Sequence, residues 1–336
     1  MTEARASYTL LNSMSIDRRV PPAALEAHGS GLHRPECVVA TRNGDVFVPE
    51  WPGGVTVVHS DGRTETWRAT TTMDLRPNGI ALTSDGSFLI ANLGDDGGIW
   101  RLERSGQLAP VLLEVDGAPL PPANFVTIDD QERIWISVST RHAPRQQAWR
   151  SDVADGFVVL IDAGGPRIVA DGFGYTNEVR PDPTGQWLYI VETFGRRVSR
   201  CPIGPRGTLG IRETVFSMDR GFFPDGFAFD EEGGLWVTSL VSNRLLRFHR
   251  EQVEIVLEDV NESFVERVEQ AYASRSMAAE HLGRIPDTLI QQLTSVAFGG
   301  PDRRTVYLGT LHGSCVYRFR GDVAGAIQPH WAYPER

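Results

Sequence analysis

The chain has 336 residues, 41% of them hydrophobic and 23% charged, which suits a soluble globular protein with a substantial core. Its 43 acidic residues outnumber 33 basic ones, for a formal net charge of -10. That balance argues against a nucleic-acid surface, suits a cytoplasmic protein and is compatible with a cation held by carboxylates.

Taken in chain order, Met1 to Val20 mixes Glu3, Arg5, Asp17, Arg18 and Arg19 with isolated apolar residues and carries no secretory core. No apolar run approaches the ~18–20 residues of a membrane-spanning helix, so no membrane partner is expected. The three cysteines, Cys37, Cys201 and Cys315, lack zinc-type spacing and read as core thiols.

From there a unit recurs six times. Its most legible strand reads Val46-Phe-Val-Pro-Glu50, Phe88-Leu-Ile-Ala-Asn92, Ile134-Trp-Ile-Ser-Val138, Leu188-Tyr-Ile-Val-Glu192, Leu235-Trp-Val-Thr-Ser239 and Val306-Tyr-Leu-Gly-Thr310. A Gly- or Asp-bearing turn precedes each, an apolar strand precedes the turn, and a third strand follows. A fourth strand is expected in most units, as in Thr64-Glu-Thr-Trp67 and Pro166-Arg-Ile-Val169. Four short antiparallel strands per unit predict an all-β, six-bladed β-propeller forming one domain over 1–336, with 1–30 as an N-terminal segment.

In a propeller the first strand of each blade lines the axis. The residue entering that strand is Glu36, Asn78, Asn124, Asn177, Asp225 and Ser295 in turn, spaced by 42, 46, 53, 48 and 70 positions. All are polar beside an apolar strand. Two carboxylates and three amides converging on one point are hard oxygen donors for a divalent cation. Ca2+ is the first choice, with Mg2+, Mn2+, Zn2+ and Fe2+ open. Asn78-Gly79 could equally be a simple turn, but turn chemistry does not explain Glu36-Cys37 or Asn124-Phe125.

The long last gap predicts a helical insertion over 260–293. Ser263-Phe-Val-Glu266 reads as a capping box, Phe264, Val268, Ala271 and Tyr272 fall on one helix face, and a second short helix is expected near Pro286. A lid, a dimer contact or a plain surface elaboration would all suit it, in a monomer or small homo-oligomer.

The segments Arg34-Pro-Glu-Cys-Val-Val39, Arg76-Pro-Asn-Gly-Ile-Ala81, Thr176-Asn-Glu-Val179, Phe223-Pro-Asp-Gly-Phe-Ala228 and Thr294-Ser-Val-Ala-Phe298 together resemble the senescence-marker-protein/gluconolactonase/luciferin-regenerating-enzyme family. The resemblance runs from about Leu32 to Phe319. It implies one axial divalent cation on Glu36, Asn177 and Asp225, with Asn124 binding metal or substrate. It also implies hydrolysis of a lactone, with Asp225 as general base and Asn124 orienting the substrate. The family's usual Glu-Gly-Pro, Asn-Asp and Asn-Gly read Glu36-Cys-Val, Asn124-Phe and Asn177-Glu here.

Around the axial residues, Asn78, Arg76, Trp51, Phe125, Tyr175, Phe222, Ser295 and His312 are expected to line a substrate pocket. The aromatic residues among them, with Phe194 and Phe223, lean it towards an apolar or aromatic lactone. His33 precedes Glu36 by three positions and is a weaker candidate. No Gly-x-Ser-x-Gly elbow or His-x-x-x-His pair is present. A phosphotriester hydrolase on the same scaffold and a non-catalytic binding platform are the competing expectations.

Overall fold

A computed structural model describes residues 19–250 and 252–333; the expected absence of a secretory core falls largely on 1–18, outside them. Short β-branched and aromatic runs bounded by turns form six four-stranded antiparallel sheets. Their innermost strands are Val39–Ala40, Pro77–Leu82, Phe125–Ile128, Thr176–Pro181, Pro224–Phe229 and Leu293–Gly299, which begin blades 1 to 6. Each innermost strand packs against the next, and the last against the first, so the sheets close a ring.

Both faces of each blade are covered by neighbouring blades, which is why the strands are almost continuously apolar. One hydrophobic cluster fills each interface: Phe47 with Phe88 between blades 1 and 2, and Leu89 with Val126 between 2 and 3. Trp135 with Leu188 follows between blades 3 and 4, Phe216 with Phe227 between 4 and 5, Val296 with Leu257 between 5 and 6, and Tyr307 with Val46 between 6 and 1.

The sixth blade closes differently from the others. Its strands Leu293–Gly299, Thr305–Thr310 and Val316–Arg320 receive their outer neighbour from Glu26–His28, pairing Ala27 with Tyr317. Residues 26–28, within the N-terminal segment 1–30 of the sequence reading, supply the outer strand of this blade. They cover an edge that would otherwise expose its N–H and C=O groups.

The hairpin turns between first and second strands share one face. In blade 5, Asp230 accepts hydrogen bonds from Gly234 N (2.7 Å), Trp236 Nε1 (2.8 Å) and Arg247 Nε (2.7 Å). Asp129 in blade 3 serves Arg133 and Trp135 in the same way. The C-terminal segment crosses this face, with Ala326 N bonded to Phe229 O and Trp331 O accepting from Arg42 N. The opposite face holds the entries to the innermost strands.

The insertion contains helix α1, Glu262–Ala273. Its N-cap is Asn261, whose Oδ1 accepts from Phe264 N at 2.9 Å, and not Ser263, whose hydroxyl instead donates to Asn261 Oδ1 at 2.7 Å. The helix expected near Pro286 is absent; a 3-10 turn forms at Ala279–Leu282 and strand Leu293–Gly299 begins soon after. The Gln291 side chain bonds Ile285 and Thr288, which satisfies that backbone in an irregular turn instead of a helix. Buried Phe264, Val265 and Val268 seat the insertion on Tyr175, Phe194, Phe223 and Val241, on the entry face of blades 4 and 5.

Candidate functional site

Antiparallel pairing puts the start of each first strand beside the end of each second strand, at one end of the axis. Blades 2, 4 and 5 add a local device. Their first pairing is disrupted between Pro77 and Ile80, Thr176 and Val179, and Pro224 and Phe227. These bulges each hold one axial candidate: Asn78, Asn177 and Asp225. A bulge re-aims a side chain that the regular pleat would send elsewhere.

The glycines after Asn78 and Asp225 serve close approach, not turn conformation. A Cβ on Gly79 would stand 2.6 Å from Phe125 Cα, and one on Gly226 would stand 2.4 Å from Thr294 O. Gly79 N and Asn78 Nδ2 both bond Asn124 O, at 3.0 and 2.9 Å, tying blade 2 to blade 3. In blade 4 the equivalent position carries Glu178. Its carboxylate reaches beside Gly226 and accepts from Phe227 N at 3.3 Å and Arg180 Nε at 3.2 Å.

The side chains then link around the axis. Arg34 Nη1 donates to Asn78 Oδ1 (2.7 Å), and Arg145 Nη2 to Asn124 Oδ1 (3.0 Å). Asn124 Nδ2 donates to Asn177 Oδ1 at 2.7 Å. Asn177 Nδ2 donates to Thr193 Oγ1 at 2.9 Å and also to Asp225 Oδ1. Arg34 Nη2 stands 3.3 Å from Glu36 Oε2, yet that buried oxygen accepts no hydrogen bond. Glu36, Asn78, Asn124, Asn177 and Asp225 are all 9% exposed or less.

Burial dominates the electrostatics. It raises the Glu36 carboxyl, opposed by Arg34 and Arg145. It raises Asp225 well above the usual carboxylate range, reinforced by the negative charges of Glu36 and Glu178. Glu178 is pushed up to about 7, again chiefly by burial. Three carboxylates thus lie within one another's field, and removing them from water disfavours the charged form of each.

The residues expected to line a pocket separate into groups. Trp51 packs against two arginines, with the guanidinium of Arg34 4.1 Å and that of Arg76 5.4 Å from its ring centre. Arg76 is itself paired with Asp74 at 2.8 Å. Tyr175 OH accepts from Arg145 Nε (2.8 Å) and Trp149 Nε1 (3.0 Å). Ser295 Oγ accepts from Val38 N at 3.3 Å, joining blade 6 to blade 1.

His312 donates from Nε2 to Leu282 O at 2.7 Å, and burial lowers its pKa. Phe125 is core beneath Gly79, with Arg180 4.6 Å from its ring centre, and Phe222 belongs to the cluster between blades 4 and 5. His33 pairs with Glu50 at 2.7 Å.

Two participants were not singled out from the sequence. Arg34 sits within the first axial segment, and Arg145 within the excursion between the second and third strands of blade 3. The signal available was topological: an excursion leaving the end of a second strand emerges on the face where first strands begin.

Among the described residues, no three His, Cys, Asp or Glu side chains are grouped to hold a metal ion. The axial set has two carboxylates and would need amide oxygens to complete a coordination shell. It fits a hard divalent cation on that basis: carboxylate and amide oxygens are such donors, and one buried Glu36 oxygen accepts no hydrogen bond.

The model of the SMP-30/Gluconolactonase/LRE-like region matches residues 35–262. A Pseudomonas putida protein named 6-deoxy-6-sulfogluconolactonase is 26% identical over 270 residues, covering 75% of this chain and 79% of its own. Among solved structures, a gluconolactonase from Xanthomonas campestris superposes with TM-score 0.65 at 17% identity, covering 88% of both chains. The calcium-binding protein regucalcin from Agrobacterium tumefaciens superposes with TM-score 0.63 at 17% identity, covering 92% of this chain and 97% of its own. With the matched region spanning five of the six axial positions, the chain belongs to the SMP-30/gluconolactonase/LRE-like family.

Proposed function

We propose that this protein is a metal-dependent hydrolase that opens the ring of a small-molecule lactone. The observation that carries the reading is the side-chain link from Asn124 through Asn177 to Asp225 across three blades, with the Glu36 carboxylate near enough to raise Asp225 and one buried Glu36 oxygen accepting no hydrogen bond. A platform for protein partners would have no use for such a costly group. The relatives named as lactonases support the reaction class.

Glu36, Asn177 and Asp225, with Asn124, would hold the cation, and Ca2+ is the first choice from the oxygen-only donor set. When bound there it would supply Lewis-acid polarisation of the lactone carbonyl. Asp225 Oδ1 is engaged by Asn177 Nδ2, and Oδ2 has no hydrogen bond among the described residues. Asp225 would take the proton from the attacking water at Oδ2. Asn124, held by Arg145 and Asn78, would orient the ring; Trp51 and Tyr175 would close its flanks and restrict water.

The lean towards an apolar substrate loses support because Phe125 and Phe222 are packed in the core. Elemental analysis of purified protein, followed by lactone and phosphotriester panels before and after chelation, tests the proposal. Chelation-sensitive lactone turnover supports it. Turnover of phosphotriesters alone would assign the scaffold to the competing chemistry, and none in either panel would reject hydrolysis.

A further inference from the structure

Arg34 and Arg145 stand at the two ends of one hydrogen-bonded chain over the site. Arg34 Nη1 bonds Asn78 Oδ1 (2.7 Å), Asn78 Nδ2 bonds Asn124 O (2.9 Å), and Arg145 Nη2 bonds Asn124 Oδ1 (3.0 Å). Arg34 and Arg145 are both half-buried residues on the entry face. Neighbouring Arg76, by contrast, has its own partner in Asp74.

The charges do not balance once the axis is loaded. Arg145 makes no ion pair among the described residues; its partners are the neutral Asn124 amide and Tyr175 hydroxyl. Arg34 has a single carboxylate partner, Glu36, at 3.3 Å. A divalent cation shared by Glu36 and Asp225 would consume both carboxylate charges. Two guanidinium groups would then face the pocket without a counter-charge. Each has N–H donors beyond those in use, arranged to bind an oxyanion.

We infer that Arg34 and Arg145 form an anion subsite, and that the substrate is a lactone carrying a carboxylate or tetrahedral oxyanion away from the ring carbonyl. The inference rests on the hydrolase reading above and narrows it from lactones to anionic lactones. It also gives the two arginines a part in specificity distinct from the carboxylates that would hold the cation. The anion enters and leaves unchanged; the acyl–oxygen bond of the ring breaks, the oxygen of water ends in the new carboxylate, and the ring oxygen takes a proton to become the hydroxyl.

The test uses the metal-loaded full chain with three matched six-carbon lactones ending in a hydroxymethyl, a carboxylate or a phosphate ester. The expected result is a kcat/KM for one anionic lactone at least about tenfold above the neutral one, with the ratio shrinking as salt rises. Arg145→Gln and Arg34→Gln should each collapse that ratio about tenfold, mainly through KM, and Arg145→Lys should restore part of it. Which anionic lactone leads separates a planar from a tetrahedral group.

Equal turnover of neutral and anionic lactones, or variants that lower all three alike, would overturn the subsite and leave the hydrolase standing. As a readout independent of turnover, calorimetry compares ring-amide analogues with and without the terminal carboxylate or phosphate. If no lactone is hydrolysed, tenfold tighter binding of an anionic analogue keeps the subsite while the hydrolase reading falls. Equal binding removes both.

Discussion

The side-chain amide of Asn124 donates to Oδ1 of Asn177 at 2.7 Å, although the two residues lie 53 positions apart and open different blades. Asn177 passes the contact on to Asp225, so three blades meet through one amide. Neutral amides between buried carboxylates limit the repulsion that a site made wholly of acids would suffer.

That arrangement predicts opposite outcomes for two substitutions. Asn177→Asp places a third charge beside Asp225 and should destabilise the chelated protein by about 2 kcal/mol at pH 8, with millimolar Ca2+ restoring the loss. Asp225→Asn should make the chelated protein more stable while abolishing stoichiometric metal and lowering lactone turnover by at least about a thousandfold. Melting curves with and without chelator, alongside elemental analysis, check both. Full metal content in Asp225→Asn would contradict the proposed ligand set.

Glu178 sets a pH dependence. Its carboxyl sits at about 7 against an ordinary 4.5, raised chiefly by burial. A raised folded-state pKa contributes stability that is complete below about 4.5 and is lost as pH climbs through about 7. At about 1.4 kcal/mol per unit, the loss is on the order of 3 kcal/mol. Glu178→Gln should remove this component, so the stability of the chelated wild type relative to the variant should fall between pH 5 and 8. A difference that stays flat over that range would refute the assignment.

Gly226 approaches its neighbour too closely for a side chain. Gly226→Ala would bring a Cβ within 2.4 Å of Thr294 O and 2.9 Å of Glu178 Oε1. The expected cost is about 3 kcal/mol in denaturant unfolding, together with weaker metal uptake because the Asp225 bulge must shift. Unchanged stability would show that the two innermost strands separate easily.

The closing strand is open to a simpler experiment. A chain lacking residues up to and including His28 loses the pairing with Val316–Arg320 and exposes that edge. Its melting temperature should fall by about 10 °C or more, with concentration-dependent aggregation in light scattering. Equal stability of the shortened chain would mean that the ring does not depend on this strand.

By itself the sequence determined the repeat, the six blades and the polar residue entering each innermost strand. All of these are local and periodic, and a period of two with recurrent turns is written directly into residue order. The helix over Phe264, Val268 and Ala271 was legible for the same reason, although Asn261 and not Ser263 caps it, by accepting from Phe264 N. Only the tertiary structure decided that Glu26–His28 completes the sixth blade, that Phe125 and Phe222 pack inward, and that Arg34 and Arg145 join the site. Those outcomes depend on which chain ends and excursions meet after the ring closes, and no spacing along the chain encodes a contact between residues brought together by closure.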